Sequence, residues 1–288
     1  MDTASDKALQ RFAELMIEKI KQVEDNWQKP WFGIKGGGLP QNIEGRTYNG
    51  VNSFMLFLLS EKEQYSLPVY MTFMQAKDSG LNILKGEKSF PVIYWNFSVR
   101  DKNGKKIPFD VYKNLDKNEQ QEYKVTPFLK TYNVFNVQQT NLQETKPEKW
   151  EALKEQFKIP AIKDEQGMLT VPLIDAMVRE QQWICPIYSK EGNSAYHARG
   201  EENHIVVPLK GQFKDGENFY STLLHEMAHS TGEPEHLNRE KGVIFGDKQY
   251  AKEELVAELT SATVGQSLGI STHIREENAM YLKNWLGA

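Results

Sequence analysis

The stretch Tyr220-Ser-Thr-Leu-Leu-His-Glu-Met-Ala-His-Ser-Thr-Gly232 decides how the second half of the chain is read. Leu223, Leu224, Met227 and Ala228 recur at helical spacing around His225-Glu226-x-x-His229. Residues four apart on an α-helix lie one above the other, so His225 and His229 can aim two imidazole nitrogens at one metal ion. Glu226 stands about 100° further round, placed to take a proton from an attacking water. The bland alternative is an exposed helix with two histidines. Leu-Leu before the motif and Met-Ala inside it make the segment too apolar for that, and burying the three polar groups without a shared partner would be costly.

A hydrolytic zinc centre needs three protein ligands and an open fourth position. Thermolysin-like enzymes take the third from a glutamate on a later helix, and an acid four residues on supports a ligand histidine. Tyr250 to Leu268 reads as one long helix closed by Gly269, and Glu253-Glu254-Leu-Val-Ala-Glu258 lies within it. Glu254 and Glu258 share a face there, with Leu255, Leu259 and Ala262 on the neighbouring side. We expect Glu254 as the ligand and Glu258 as the supporting acid, with Glu253 and Glu258 as alternative ligands. A rival sits nearer the motif. Gly232 matches the metzincin pattern His-Glu-x-x-His-x-x-Gly-x-x-His, in which Glu235 takes the third histidine's place and His236 falls one residue off. The helix is preferred because nothing downstream reads as a Met-turn and three glutamates on a buried face otherwise lack a reason. Tyr196, His204 and Tyr220 are candidate donors to an oxyanion, each set against a plain structural role.

The bulk of the chain is that of a globular protein: 288 residues, 39% hydrophobic and 26% charged. Residues 1–145 carry 19 basic against 17 acidic side chains, and the remainder 16 against 22. Cys185 is the single cysteine, which excludes an intrachain disulfide and a thiolate metal cluster. No apolar run approaches the roughly 18 residues of a membrane span, and the N-terminus lacks a signal-peptide pattern. A cytoplasmic protein without membrane attachment is expected.

The first half has a different character. Residues 5–25 show helical spacing, Val51 to Ser60 reads as a short buried helix, and Thr72 is placed to cap a helix through Lys77. Phe90 to Val99 and Val125 to Gln138 read as strands, with a turn at Asp101-Lys-Asn-Gly104 and Lys105 to Val111 returning from it. Aromatic residues are interleaved with basic ones, the pattern by which proteins stack bases and track a phosphate backbone. Core packing is the competing role for each aromatic. The loop candidates are Trp27, Lys29 and Trp31, then Arg46 and Tyr48, then Lys85 and Lys88. The fold class is thus α+β in two domains: 1–140, aromatic-rich and mixed; 141–165, a charged, Pro-interrupted linker; and 166–288, mainly helical with a small sheet. In the last part, Pro172 to Gln182 reads as a helix, Ile184 to Ile187 and His204 to Pro208 as strands, and Glu276 to Leu286 as a final helix.

Taken together these residues resemble the ArdC antirestriction family of conjugative plasmids and related mobile elements. The resemblance runs through Trp27-Gln-Lys-Pro-Trp31, Pro40-Gln-Asn42, Tyr48-Asn-Gly-Val-Asn52, Met71-Thr-Phe-Met-Gln-Ala76, Lys85-Gly-Glu-Lys88 and Val134-Phe-Asn-Val-Gln138. It continues through Tyr220 to Gly232, Leu237-Asn-Arg239, Phe245-Gly246 and Tyr250 to Glu258. It implies a single-stranded DNA-binding first domain and a zincin-type metallopeptidase second domain, with a metal, zinc in the first instance, on His225 and His229. It also favours the Glu254 region over Glu235. Glu233 and His236 depart from the pattern, standing where such proteins tend to carry histidine and arginine. A host restriction-system protein is the partner that a working peptidase would imply. The competing readings are a protease whose aromatic domain recognises protein, and a DNA-binding shield whose metal is structural.

Overall fold

A computed structural model of the chain describes residues 3–25, 32, 37–239 and 248–272. Apolar residues at helical spacing fold α1 (Ala4–Asp25), which buries Ala8, Phe12, Leu15 and Ile20. Two short strands, β1 (Gln41–Asn42) and β2 (Val69–Thr72), pair in parallel on either side in sequence of α2 (Val51–Glu63). α3 (Phe73–Asp78) starts from Thr72, whose hydroxyl accepts from the Gln75 amide while the Gln75 side chain accepts from the Thr72 amide. Gly80 follows it at φ 67°, a conformation in which a Cβ would be strained.

β3 (Phe90–Asp101) leads through the Asp101–Gly104 turn to β4 (Lys106–Ile107). The expected return to Val111 stops early, because Pro108 has no amide to continue the ladder. The chain instead enters α4 (Phe109–Lys113) and α5 (Lys117–Gln120). β5 (Tyr123–Asn136) then pairs with β3 along its whole length, from Phe90 opposite Val134 to Asp101 opposite Tyr123. The sheet order is β1-β2-β5-β3-β4. Strand alternation sorts its side chains onto two cores. Tyr70, Phe90, Val92 and Val134 pack with α1 and α2, whereas Val69 and Met71 pack with Leu81, Val137, Leu142, Leu153 and Phe157.

Those last three residues come from the stretch expected as a linker. It folds into α6 (Leu142–Thr145) and α7 (Pro147–Gln156), and Pro147 begins α7 where a missing amide costs nothing. Its charges lie on the solvent face of a packed helix, so the stretch is no loose tether.

The second half opens with a hairpin, β6 (Ile162–Lys163) and β7 (Leu169–Thr170), and then α8 (Pro172–Arg179). A three-stranded sheet follows: β8 (Ile187–Lys190), β9 (Tyr196–Ala198) and β10 (His204–Pro208), in the order β8-β10-β9. β8 starts three residues later than the expected strand, since Pro186 cannot donate to a ladder that starts at Ile187. Ile187, Ile205 and Val207 pack on α9 (Gly216–Ser230) through Phe219, Leu223 and Met227. α10 (Lys248–Ser267) crosses α9 and touches both halves. Its Ser261 hydroxyl donates to Ser221 O of α9, while Leu255, Leu259 and Ala262 join the core of α1 and α2. No helix among the described residues is long and apolar enough to cross a membrane. The expected helix at 276–286 lies outside the described residues.

Candidate metal centre

Asp215 caps α9 by accepting from the Asn218 amide, and the apolar face of the helix seats on the small sheet. That seating turns His225 and His229 toward α10, and both are buried, as is Glu226 beside them. Opposite them α10 presents Glu253, Glu254 and Glu258, also buried. Six ionisable side chains without water demand mutual pairing or a shared cation.

The pairing is specific. Glu254 bridges both imidazoles, with Oε2 at 3.3 Å from His225 Nε2 and Oε1 at 3.4 Å from His229 Nε2. The two Nε2 atoms are 3.0 Å apart. The far nitrogens have separate acids. Glu253 Oε1 lies 3.2 Å from His229 Nδ1, and Glu258 Oε1 lies 3.3 Å from His225 Nδ1, close but off the hydrogen-bond angle. A carboxylate facing each Nδ1 favours the tautomer protonated there, so both Nε2 lone pairs converge on one point beside the Glu254 carboxylate. Lone pairs so close repel unless a cation or a proton lies between them. Two imidazoles and one carboxylate are also a borderline-soft donor set suited to zinc and its neighbours. The residues therefore fit a divalent metal, with His225, His229 and Glu254 as the group able to hold it.

Charge states follow from these contacts. Burial opposes a charge on His229, but hydrogen bonds to Glu253 and Glu254 outweigh it and push its pKa up to about 9. Burial likewise opposes ionisation of Glu253, yet Arg239 and His229 hold it down at about 2. The two imidazoles keep Glu254 well below the usual carboxylate range against the same penalty.

Arg239, outside the His-Glu-x-x-His motif, is brought to the centre by the fold. In the structure it donates to both oxygens of Glu253, at 2.9 Å and 2.8 Å, to Thr231 Oγ1 at 2.9 Å and to Ala228 O at 2.8 Å. Glu235 and His236, the nearer rivals, are exposed and stand outside the cluster. Glu233 is buried and accepts from Gly200 N at 3.4 Å. The three oxyanion candidates are elsewhere. Tyr220 donates to Asp175 at 2.6 Å and accepts from Val171 N, while Tyr196 and His204 share the sheet face turned away from α9.

Of the expected DNA-binding residues, Trp27, Lys29 and Trp31 lie outside the described residues. Arg46 is exposed and Tyr48 is buried, and both line one cleft of the first half. Lys85 and Lys88 are exposed on a separate turn. Tyr48 was expected in an open loop; its ring instead packs edge-on against Tyr70 at 6.3 Å.

The second half, from residue 174 to 288, matches the zincin-like metallopeptidase family, which defines the class of its domain. Residues 6–135 match the N-terminal domain of the anti-restriction factor ArdC. The chain is thus similar to ArdC antirestriction proteins in both of its halves. Across 96% of its length it superposes on 87% of the metal-free crystal structure of the ArdC antirestriction protein from the R388 plasmid, with a TM-score of 0.66 and 26% identity. The Mn(II)-bound structure of that protein gives 0.64 and 25% over the same shares. A DNA primase TraC from Escherichia coli is 32% identical over 97% of this chain, which spans 24% of that relative's length.

Proposed function

We propose that this chain is an antirestriction protein of a mobile element such as a plasmid, acting in the cytoplasm. The domain over 1–140 binds single-stranded DNA, and the domain over 166–288 holds one zinc ion on His225, His229 and Glu254. The observation that carries the metal reading is the convergence of two Nε2 atoms and the Glu254 carboxylate within 3.0–3.4 Å, with a separate acid behind each imidazole. The Mn(II)-bound state of the R388 plasmid's protein supports a divalent ion in this family. The ArdC match and the aromatic, basic surface of the first half support DNA binding.

A bound divalent ion supplies Lewis acidity to a carbonyl and to an attacking water. The chain's own residues do the rest. Glu258 and Glu253 orient the two imidazoles through Nδ1. Glu226, next to His225 and buried with it, accepts the water's proton on its carboxylate and returns it to the departing amine. Burial of the centre keeps bulk water from competing.

Two measurements test this. Metal analysis of the purified protein should find about one equivalent, lost in His225→Ala; a full equivalent retained there places the metal elsewhere. Glu226→Ala should keep the metal and lose hydrolysis of any peptide substrate found. If that variant still protects incoming DNA from restriction, the centre is structural for protection and DNA binding carries the function.

A further inference from the structure

The first half contains a cleft of about 480 Å³, inside the range of roughly 300–1,000 Å³ typical of small-ligand sites. Its floor is apolar, made by Val92 and Val134, both buried. Tyr94 and Tyr132 stand at its mouth, edge to face with ring centroids 5.7 Å apart. Arg46 lines one wall. Lys130 is paired across the strands with Tyr94 and holds its Nζ 4.8 Å from the Tyr132 ring centre. Two cations thus flank an aromatic mouth over an uncharged floor.

The rim also offers hydrogen bonds. Glu44 accepts from Asn42 Nδ2 at 3.3 Å and from Gln75 Nε2 at 3.4 Å, which fixes both amides and leaves each nitrogen a second N–H. A flat ring with apolar faces and a polar edge suits this floor and rim. Arg46 and Lys130 at the mouth, with no charge on the floor and the nearby Glu44 carboxylate turned to the two amides, suit a ligand whose anionic parts continue outward on both sides.

We propose that this cleft takes one unstacked base of a DNA single strand against Tyr94 and Tyr132, with Arg46 and Lys130 on the phosphates to either side. This rests on the single-stranded DNA reading above and adds its site. Base–aromatic stacking is worth about 1–3 kcal/mol per base, so loss of the stacked base weakens binding by about fivefold to a hundredfold.

The test uses the full chain and fluorescence anisotropy with a labelled oligothymidylate at low salt. Replacing Tyr94 and Tyr132 together by Ala should weaken binding about fivefold or more, and by Phe should largely restore it. Trp95→Ala should leave binding unchanged, because Trp95 points to the opposite sheet face and is exposed there. Arg46→Ala should lower the salt slope by about 0.7. A strand made wholly abasic should bind the wild type no better than the normal strand binds the double Ala variant. If the double variant or the abasic strand binds as tightly as the wild-type pair, the cleft is not a base site, although the DNA reading stands. Loss on Trp95→Ala alone puts the strand on the other face. If the wild type binds no single strand but takes an aromatic peptide in the cleft, the broader reading falls with this one.

Discussion

Arg239 joins three separate pieces of backbone: the end of α9 through Ala228 O, the following turn through Thr231, and α10 through Glu253. Because Glu253 in turn faces His229 Nδ1, the arginine fixes an imidazole that it never touches. Partners of this kind typically contribute about 10–100-fold to metal affinity. Arg239→Gln should therefore weaken metal binding by about that factor in a chelator-competition titration, with Arg239→Lys little better, since an ammonium cannot grip both carboxylate oxygens. Unchanged affinity would mean that His229 is held by Glu254 alone. Sequence spacing made His225, His229, Glu254 and Glu258 legible because each pair is local, four residues apart on one helix. It could not reveal the Arg239–Glu253 contact, whose partners meet only after the chain turns back on itself. The burial of Tyr48 is hidden for a related reason: a polar loop composition says nothing of a ring that folds inward onto Tyr70.

α10 is read by two neighbours at once. Glu254, Glu258 and Ser261 recur at helical spacing toward α9, and Leu255, Leu259 and Ala262 do so one residue on, about 100° round the axis. That offset was visible in the sequence; which core the apolar row would meet was not, because helix periodicity carries no address. Ala262 is fully buried against the first half. Ala262→Leu should overpack that contact and cost about 1–3 kcal/mol in chemical denaturation. By tilting the helix it should also weaken metal uptake, although residue 262 is no ligand. A stability loss with metal affinity intact would show that α10 bends rather than moves as a rod. The strand misreadings had a different origin. Ile184-Cys-Pro-Ile187 has the apolar content of a strand, but the proline postpones the ladder to β8.

On the scale of the molecule the two halves share one helix, α10, which meets α9 on one side and the core of α1 and α2 on the other, so they should unfold together. A metal that binds only the folded chain adds about 2.7 kcal/mol at a free concentration one hundred times its dissociation constant. Hydrogen exchange should then slow in α1 and α2 as well as in α9 when metal is added. Slowing confined to α9 and α10 would show the halves to be uncoupled. Backbone contacts reinforce the expectation, with Gly38 N donating to Ser267 O at 2.7 Å and Gly37 N to Phe157 O at 3.1 Å. A Cβ at Gly37 would fall 1.8 Å from Ile159 Cδ1 and 3.0 Å from Gly269 N, so a side chain there would displace Ile159 and crowd the start of the stretch after α10. The row formed by Leu255, Leu259 and Ala262 bears on how such proteins can be recombined. A chimera taking its first half from a distant relative would inherit a trench cut for another helix. It would need matching changes on α10, one residue away from the acids that face the histidines.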